Sequence, residues 1–150
     1  RQAALPGVAL VSGNARGADR AAQEACLKSG GCVIVVVADE LAKQPERERV
    51  LYLSEEEFDG AFSAQRALSR NRVIHALGEI TFVAQSHYET GGTWDGTVKN
   101  LRFGWSTVCC FDDGSRAAKQ LCAMGARAVD TNALLNLNGL QTEAVGFFDV

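Results

Sequence analysis

The sequence predicts an α/β fold in three layers, a mainly parallel sheet with helices on both faces. Three observations predict it. Short apolar runs of strand length recur along the 150 residues, at 7–13, 32–38, 79–85 and 106–112. Segments with helical patterning lie between most of them, which is the signature of βαβ units. The run CVIVVVA at 32–38 is apolar at every position, as suits a parallel strand buried on both faces.

Each element follows from its own residues. GVALVSG at 7–13 reads as a short buried strand entered after Pro6. A helix from about Gly17 to Ser29 follows, with Ala18, Ala22, Ala25 and Cys26 as a small-residue face for packing on the sheet. Asp19 sits in its first turn, where the helix dipole favours an acid. Arg20 with Glu24, and Glu24 with Lys28, are spaced as exposed i,i+4 pairs. The strand at 32–38 gives way to a charged surface excursion over 39–60, punctuated by Pro45 and holding a brief strand at 50–53. Residues 61–78 read as a helix interrupted near Ser69, and 79–85 as the next strand. A glycine-containing loop over 86–96 leads into a helix ending near Phe103. A strand at 106–112, a helix at 115–125, a short strand at 126–130 and a terminal helix after it complete the reading.

Composition narrows the class. With 47% apolar residues the chain has enough material for one ordinary domain with a core. No Pro-, Gly- or Ser-rich linker and no internal repeat divides it. The net charge of -3 is mild, so the field of one face matters more than the total. Five cysteines without a CxxC spacing read as reduced, mostly buried thiols of a cytoplasmic protein. No stretch reaches the roughly 18 consecutive apolar residues that a membrane span requires, and no signal segment opens the chain. The start at Arg1 in place of methionine raises the expectation of further sequence upstream.

In an open parallel sheet the binding crevice lies beyond the carboxyl ends of the strands, and two glycine-rich segments fall there. In SGNARG, Gly13 and Gly17 permit close backbone approach, the helix-opening amides can hold an anion, and Arg16 adds a fork of donors. Asn14 completes that turn. In ETGGTWDG, Gly91, Gly92 and Thr93 form a second candidate anion nest. It is neither a Walker A loop nor a G-x-G-x-x-G fingerprint. Trp94 is open to two readings, a stacking platform or packing for the loop. Glu89 and Asp95 are the acids beside this nest, either surface carboxylates or groups that orient a ribose or act in catalysis. Between the loops, Arg66, Arg70 and Arg72 with Asn71 make the sharpest basic cluster in an acidic chain, and arginine suits bidentate phosphate contact. His75 is read as a packing histidine. No Cys, His and acid set has metal-ligand spacing, there is no G-x-S-x-G elbow, and no cofactor is expected.

These segments, in this order, resemble the DNA-processing protein family (DprA, also called Smf). VSGNARGADRAAQEA resembles its SG-ARG-D segment, and SRNRVIHALGEITFVAQSHYETGGTWDGT its RNR segment with the following strand and glycine loop. The likeness extends over roughly residues 7–130. It implies a Rossmann-like fold and binding of single-stranded DNA without a catalytic step, in support of recombinase loading during natural transformation. By resemblance Arg16 stands for the arginine of ARG, Arg70 and Arg72 for those of RNR, and Gly91 to Thr93 for the glycine-serine loop. Asp19 stands for the aspartate that organises the first turn. A homo-oligomer is also expected, and the resemblance implies a domain whose first strand and helix, with a GSR turn, are missing from this sequence.

The departures keep a second function open. Asn14 replaces a leucine-like residue, Gln23 falls in a histidine region, and ALS stands where the family has FP before RNR. The GGT of the second loop drifts toward the PGGxGTxxE loop of the lysine-decarboxylase-like phosphoribohydrolases, without its proline or its spacing. The alternative is therefore a pocket for a small nucleotide, with Glu89 or Asp95 as the candidate carboxylate.

Overall fold

The β-branched run around Val35 forms the middle strand of a parallel sheet, as its two-sided apolar pattern requires. The computed structural model describes residues 2–55, 60–130, 132 and 137. In it, β1 (Ala9–Ser12), β2 (Cys32–Val36) and β3 (Val50–Leu53) are parallel in the order β1-β2-β3. β4 (Ile80–Val83), β5 (Thr107–Phe111) and β6 (Arg127–Val129) form a second parallel set in the order β4-β5-β6. Leu10 stands opposite Val33 and Phe82 opposite Cys109. The single sheet expected from the sequence is thus drawn as two, with β1 and β4 each hydrogen-bonded along one edge among the described strands.

Four α-helices connect them: α1 (Ala18–Lys28), α2 (Ala64–Leu77), α3 (Gly91–Phe103) and α4 (Arg116–Ala123). Short 3-10 turns at Gln2–Ala4 and Leu41–Lys43 were not anticipated. Serine caps begin two of the helices. The Ser63 hydroxyl accepts from Arg66 N–H at 3.0 Å, and that of Ser115 from Ala118 N–H at 3.1 Å, each cap worth about 1 kcal/mol. α2 runs through Ser69 without a break, because Ser69 costs a helix interior only a few tenths of a kcal/mol, about 0.5. α3 starts earlier than expected, so Gly91, Gly92 and Thr93 are its first turn and not a preceding loop. Gly104 ends it in the left-handed region at φ 67°. The terminal helix expected after residue 130 lies outside the described residues.

Each half has an apolar centre of its own. Val33, Val35 and Val37 pack with Cys26 of α1, and Leu10 and Leu27 close around them. Val83, Val108 and Cys110 pack with Ala118 and Leu121 of α4, and Trp94, Val98 and Leu101 lie against them. Trp94 of α3 therefore packs against the core, edge-on to Tyr88 of the preceding loop. Cys109 is buried on the opposite face of β5 with Val129, the alternation expected of a strand covered on both sides. Burial, with Cys122 and the two following aspartates, pushes the Cys110 thiol up to about 11.

Three expectations are corrected here. Ala18, Ala22 and Ala25 are exposed, and only Cys26 of that face is buried. No described element covers these three alanines. Cys32 is exposed because it opens β2 at the sheet's rim. Glu24 pairs with Arg47 of the surface excursion at 3.1 Å, across the fold instead of along its own helix.

Candidate nucleic-acid interface

Two adjacent residues of α2 gather the rim. Arg70 Nη1 donates to the carbonyl of Gly13, at the end of β1, and at 2.6 Å to that of Val36, at the end of β2. Asn71 Nδ2 donates at 3.1 Å to the carbonyl of Gly92 in the first turn of α3. One step along a helix thus joins the turn after β1 to the start of α3. Glycine makes both approaches possible. A Cβ on Gly13 would lie 2.7 Å from Arg70 Nη1, and one on Gly92 would lie 3.0 Å from Asn71 Nδ2.

The first turn is held from within. Asp19 Oδ2 accepts from Gly13 N–H at 3.2 Å and from Ala15 N–H at 3.1 Å. Those amides are therefore engaged by a carboxylate of the chain itself. Asn14 takes φ 62° at the apex, a left-handed conformation that asparagine tolerates better than the leucine-like residue it replaces. Gln23 Nε2 donates to Ser12 Oγ at 2.5 Å and ties α1 to the end of β1. Gly17 has φ 89° and lets the chain turn into α1. Arg16 is exposed, with no partner among the described residues, and so is Arg20 one helical turn on.

The three clustered arginines have three environments. Arg66 donates to the carbonyls of Gly60 and Ala61 and to Ser54 Oγ, and so anchors the segment leading into α2. Arg70 is only 9% exposed. Burial pushes its pKa down, opposed by the carboxylates of Asp19 and Glu55. Arg72 is exposed and pairs through Nε with Glu55 at 2.9 Å. The cluster read as one basic patch is thus a loop anchor, a buried clasp and a surface ion pair.

At the second nest, α3 begins without a side-chain cap on Thr90 and without an acid in its first turn, so its dipole is not opposed there. Gly91, Gly92 and Thr93 line a shallow cleft of about 320 Å³ with Ser86 and His87. Glu89 is exposed, at φ 55°. Asp95 pairs with Lys99 at 2.8 Å along α3. Neither carboxylate lies in the shielded pocket that tunes a catalytic acid.

Behind the rim, a polar chain locks α2 to α3. Asn100 Nδ2 donates to His75 Nδ1 at 3.0 Å and to Ser106 Oγ at 2.8 Å, and Asn100 Oδ1 accepts from Ser106 N–H at 2.9 Å. An amide nitrogen is a donor only, so Nδ1 of His75 is the acceptor and the ring is neutral. Burial pushes His75 below its ordinary value. Asn100, completely buried, escaped the sequence reading because a lone asparagine in a helix carries no pattern.

The family model for DNA recombination-mediator protein A matches residues 1–137. The chain belongs to that family. Among solved structures, DNA processing protein A (DprA) of Streptococcus pneumoniae matches 89% of this chain at 25% identity and a TM-score of 0.73. The chain spans about half of that protein, 52% of its length. DprA of Helicobacter pylori, a protein with a single-stranded DNA binding mode, matches 95% of this chain and 71% of its own at 22% identity and a TM-score of 0.76. That second likeness speaks for the shared Rossmann-like fold. No curated protein sequence matches the chain.

Membership makes sense of the order of the DprA-like segments. The RNR arginine and asparagine are the parts that bring the two glycine turns to one edge, and Asp19 shapes the first of them.

Proposed function

We propose that the chain binds single-stranded DNA through backbone phosphates along the edge formed by the turn after β1 and the start of α3. The observation that carries this reading is the clasp of Arg70 on Gly13 and Asn71 on Gly92, which sets both turns on one side of α2. Arg16 supplies an unpaired guanidinium at the first turn, and the amides of Gly91, Gly92 and Thr93 open an uncapped helix at the second. Arg72 adds charge once Glu55 yields it, while Asn14, Gly17 and Asp19 shape the approach. Arg70 acts from inside, as the residue that positions the turns. A part in DNA recombination, and with it natural transformation, belongs to the same reading and is supported by membership of the DNA recombination-mediator protein A family.

The finer readings belong to the same proposal. A cytoplasmic setting suits a DNA ligand and free thiols at Cys26, Cys109 and Cys110. Association of copies is supported by exposed apolar side chains such as Phe103 and Leu77; light scattering on the purified protein tests it.

The test is a titration of a fluorescent single-stranded oligonucleotide at two salt concentrations. Arg16→Ala should weaken binding to every sequence alike and reduce the salt slope by roughly one unit. It should leave thermal stability within about 0.5 kcal/mol, since the side chain is exposed. An affinity and slope equal to those of the unsubstituted protein would refute the phosphate edge.

A further inference from the structure

One stripe of α2 faces one stripe of α3. Asn71 and His75 stand a turn apart on the first helix, and Gly92, Gly96 and Asn100 stand a turn apart on the second. Asn71 Nδ2 meets the Gly92 carbonyl at 3.1 Å, and Asn100 Nδ2 meets His75 Nδ1 at 3.0 Å. Gly96 lies between these two contacts, where a Cβ would stand 3.0 Å from His75 Nε2 and 3.3 Å from Asn71 Cβ. The first contact seats the opening turn of α3 beside the rim, and the second closes the same seam from behind.

The polarity of the seam is fixed. Asn100 Oδ1 accepts from Ser106 N–H at 2.9 Å, so its amide cannot turn over without stranding that backbone donor. Asn100 Nδ2 is therefore always the donor toward His75, and the ring must keep a lone pair on Nδ1. A protonated ring would set N–H against N–H in an interior where His75 is 7% and Asn100 0% exposed. No described charge offsets this. Asp95 and Lys99 of α3 pair with each other, and Arg102 and Glu79 are exposed. On α2, Arg70 is clasped to Gly13 and Val36, and Arg72 pairs with Glu55. Burial alone depresses the His75 pKa.

We infer that neutral His75 is a positioning residue for the nucleic-acid site: it holds the start of α3 at the rim, and its protonation releases α3 and weakens binding of single-stranded DNA. The inference rests on the single-stranded DNA reading above and adds a control to it. The sign of the effect sets it apart. The DNA-bound form keeps the seam closed and so holds fewer protons than the free form, which makes affinity fall as pH falls. Every other protonation adds positive charge and favours a polyanion. His87, exposed in the cleft beside Gly91 and Thr93, acts in that opposite sense.

The experiment measures affinity for a fluorescent thymidine oligonucleotide from pH 7.5 to 5.5 at constant ionic strength, over the range in which circular dichroism shows the native fold. The unsubstituted protein should lose affinity on the acid side, with a limiting slope of roughly tenfold per pH unit for one proton. His75→Ala should lower the affinity at pH 7.5 by about 5-fold or more, the lower end of coupling between linked sites. His75→Asn keeps an acceptor where Nδ1 stood and cannot be protonated. It should recover most of that loss and bind equally at both ends of the range. Asn100→Asp, whose carboxylate accepts from a protonated ring, should reverse the sign. An affinity of the unsubstituted protein that is level or rises toward pH 5.5 would overturn the role of His75 and leave the phosphate edge standing. So would an acid-side loss that persists unchanged in His75→Asn. Failure of the unsubstituted protein to bind the strand at pH 7.5 would overturn both readings.

Discussion

Arg70 and Arg72 stand two residues apart on one helix and meet opposite surroundings. Arg72 is a solvated partner of Glu55, and such exposed pairs are worth about 0–1 kcal/mol. Arg70 satisfies two carbonyls in the interior. Its loss strands them, and each unsatisfied buried group costs about 1–3 kcal/mol. Arg70→Ala should therefore lower stability by about 3 kcal/mol in urea denaturation, whereas Arg72→Ala should lower it by less than about 1 kcal/mol. Equal, small losses from the two would show that the clasp on Gly13 is dispensable. Asp19, like Arg70, is a charged side chain whose partners are backbone groups, in its case two amides of one turn.

At the scale of elements, the site depends on how α2 and α3 are held. Gly96 lets them approach, since a Cβ there would lie 3.0 Å from His75 Nε2. The His75–Asn100–Ser106 chain then fixes their register, and Ser106 continues it to Thr81 of β4 at 2.7 Å. His75 is held neutral, with its folded pKa below the unfolded value. The unfolded chain thus binds more protons in this range, so stability rises with pH. The contribution is complete above the unfolded pKa of about 6.5 and is lost as pH falls below it. Thermal melts from pH 7.5 to 5 should show this loss, and His75→Gln should flatten it. A melt series with the same pH slope in both proteins would place the sensitivity elsewhere.

At the scale of the molecule, β2 and β5 are each bonded on both sides, whereas β1 and β4 are bonded on one. Burial follows the bonding in part, since Ser12 of β1 and Val83 of β4 are buried as well. Val33, Val35, Val108 and Cys109 are sealed, while Ala9 is exposed and Ile80 and Phe82 are half-buried. Unpaired strand edges are reactive features that proteins cover or blunt. Amide hydrogen exchange should therefore find β1 and β4 exchanging well ahead of β2 and β5. Equal protection in all four strands would mean that the edges of β1 and β4 are already covered, by a second copy of the chain or by other residues of it.

The sequence by itself determined the strands and their parallel sense. Apolar runs such as 32–38 declare a strand because their side chains must be buried on both faces, and glycine turns after such strands mark the rim. Gly13, Asn14, Gly17, Asp19 and Asn71, singled out in the sequence, sit at or behind those turns. Only the tertiary structure decided what the arginines do. Composition gives three like charges within seven residues, but a helix advances about 100° per residue, so Arg72 faces away from Arg70 toward solvent, while Arg66, one turn before Arg70, reaches the loop leading into α2 and Arg70 the strand ends. His75 and Asn100 were invisible as a pair for a related reason: they come from separate helices and meet only because α2 packs on α3. Local pattern dictates elements, and long-range packing assembles chemistry from residues that have no pattern in common.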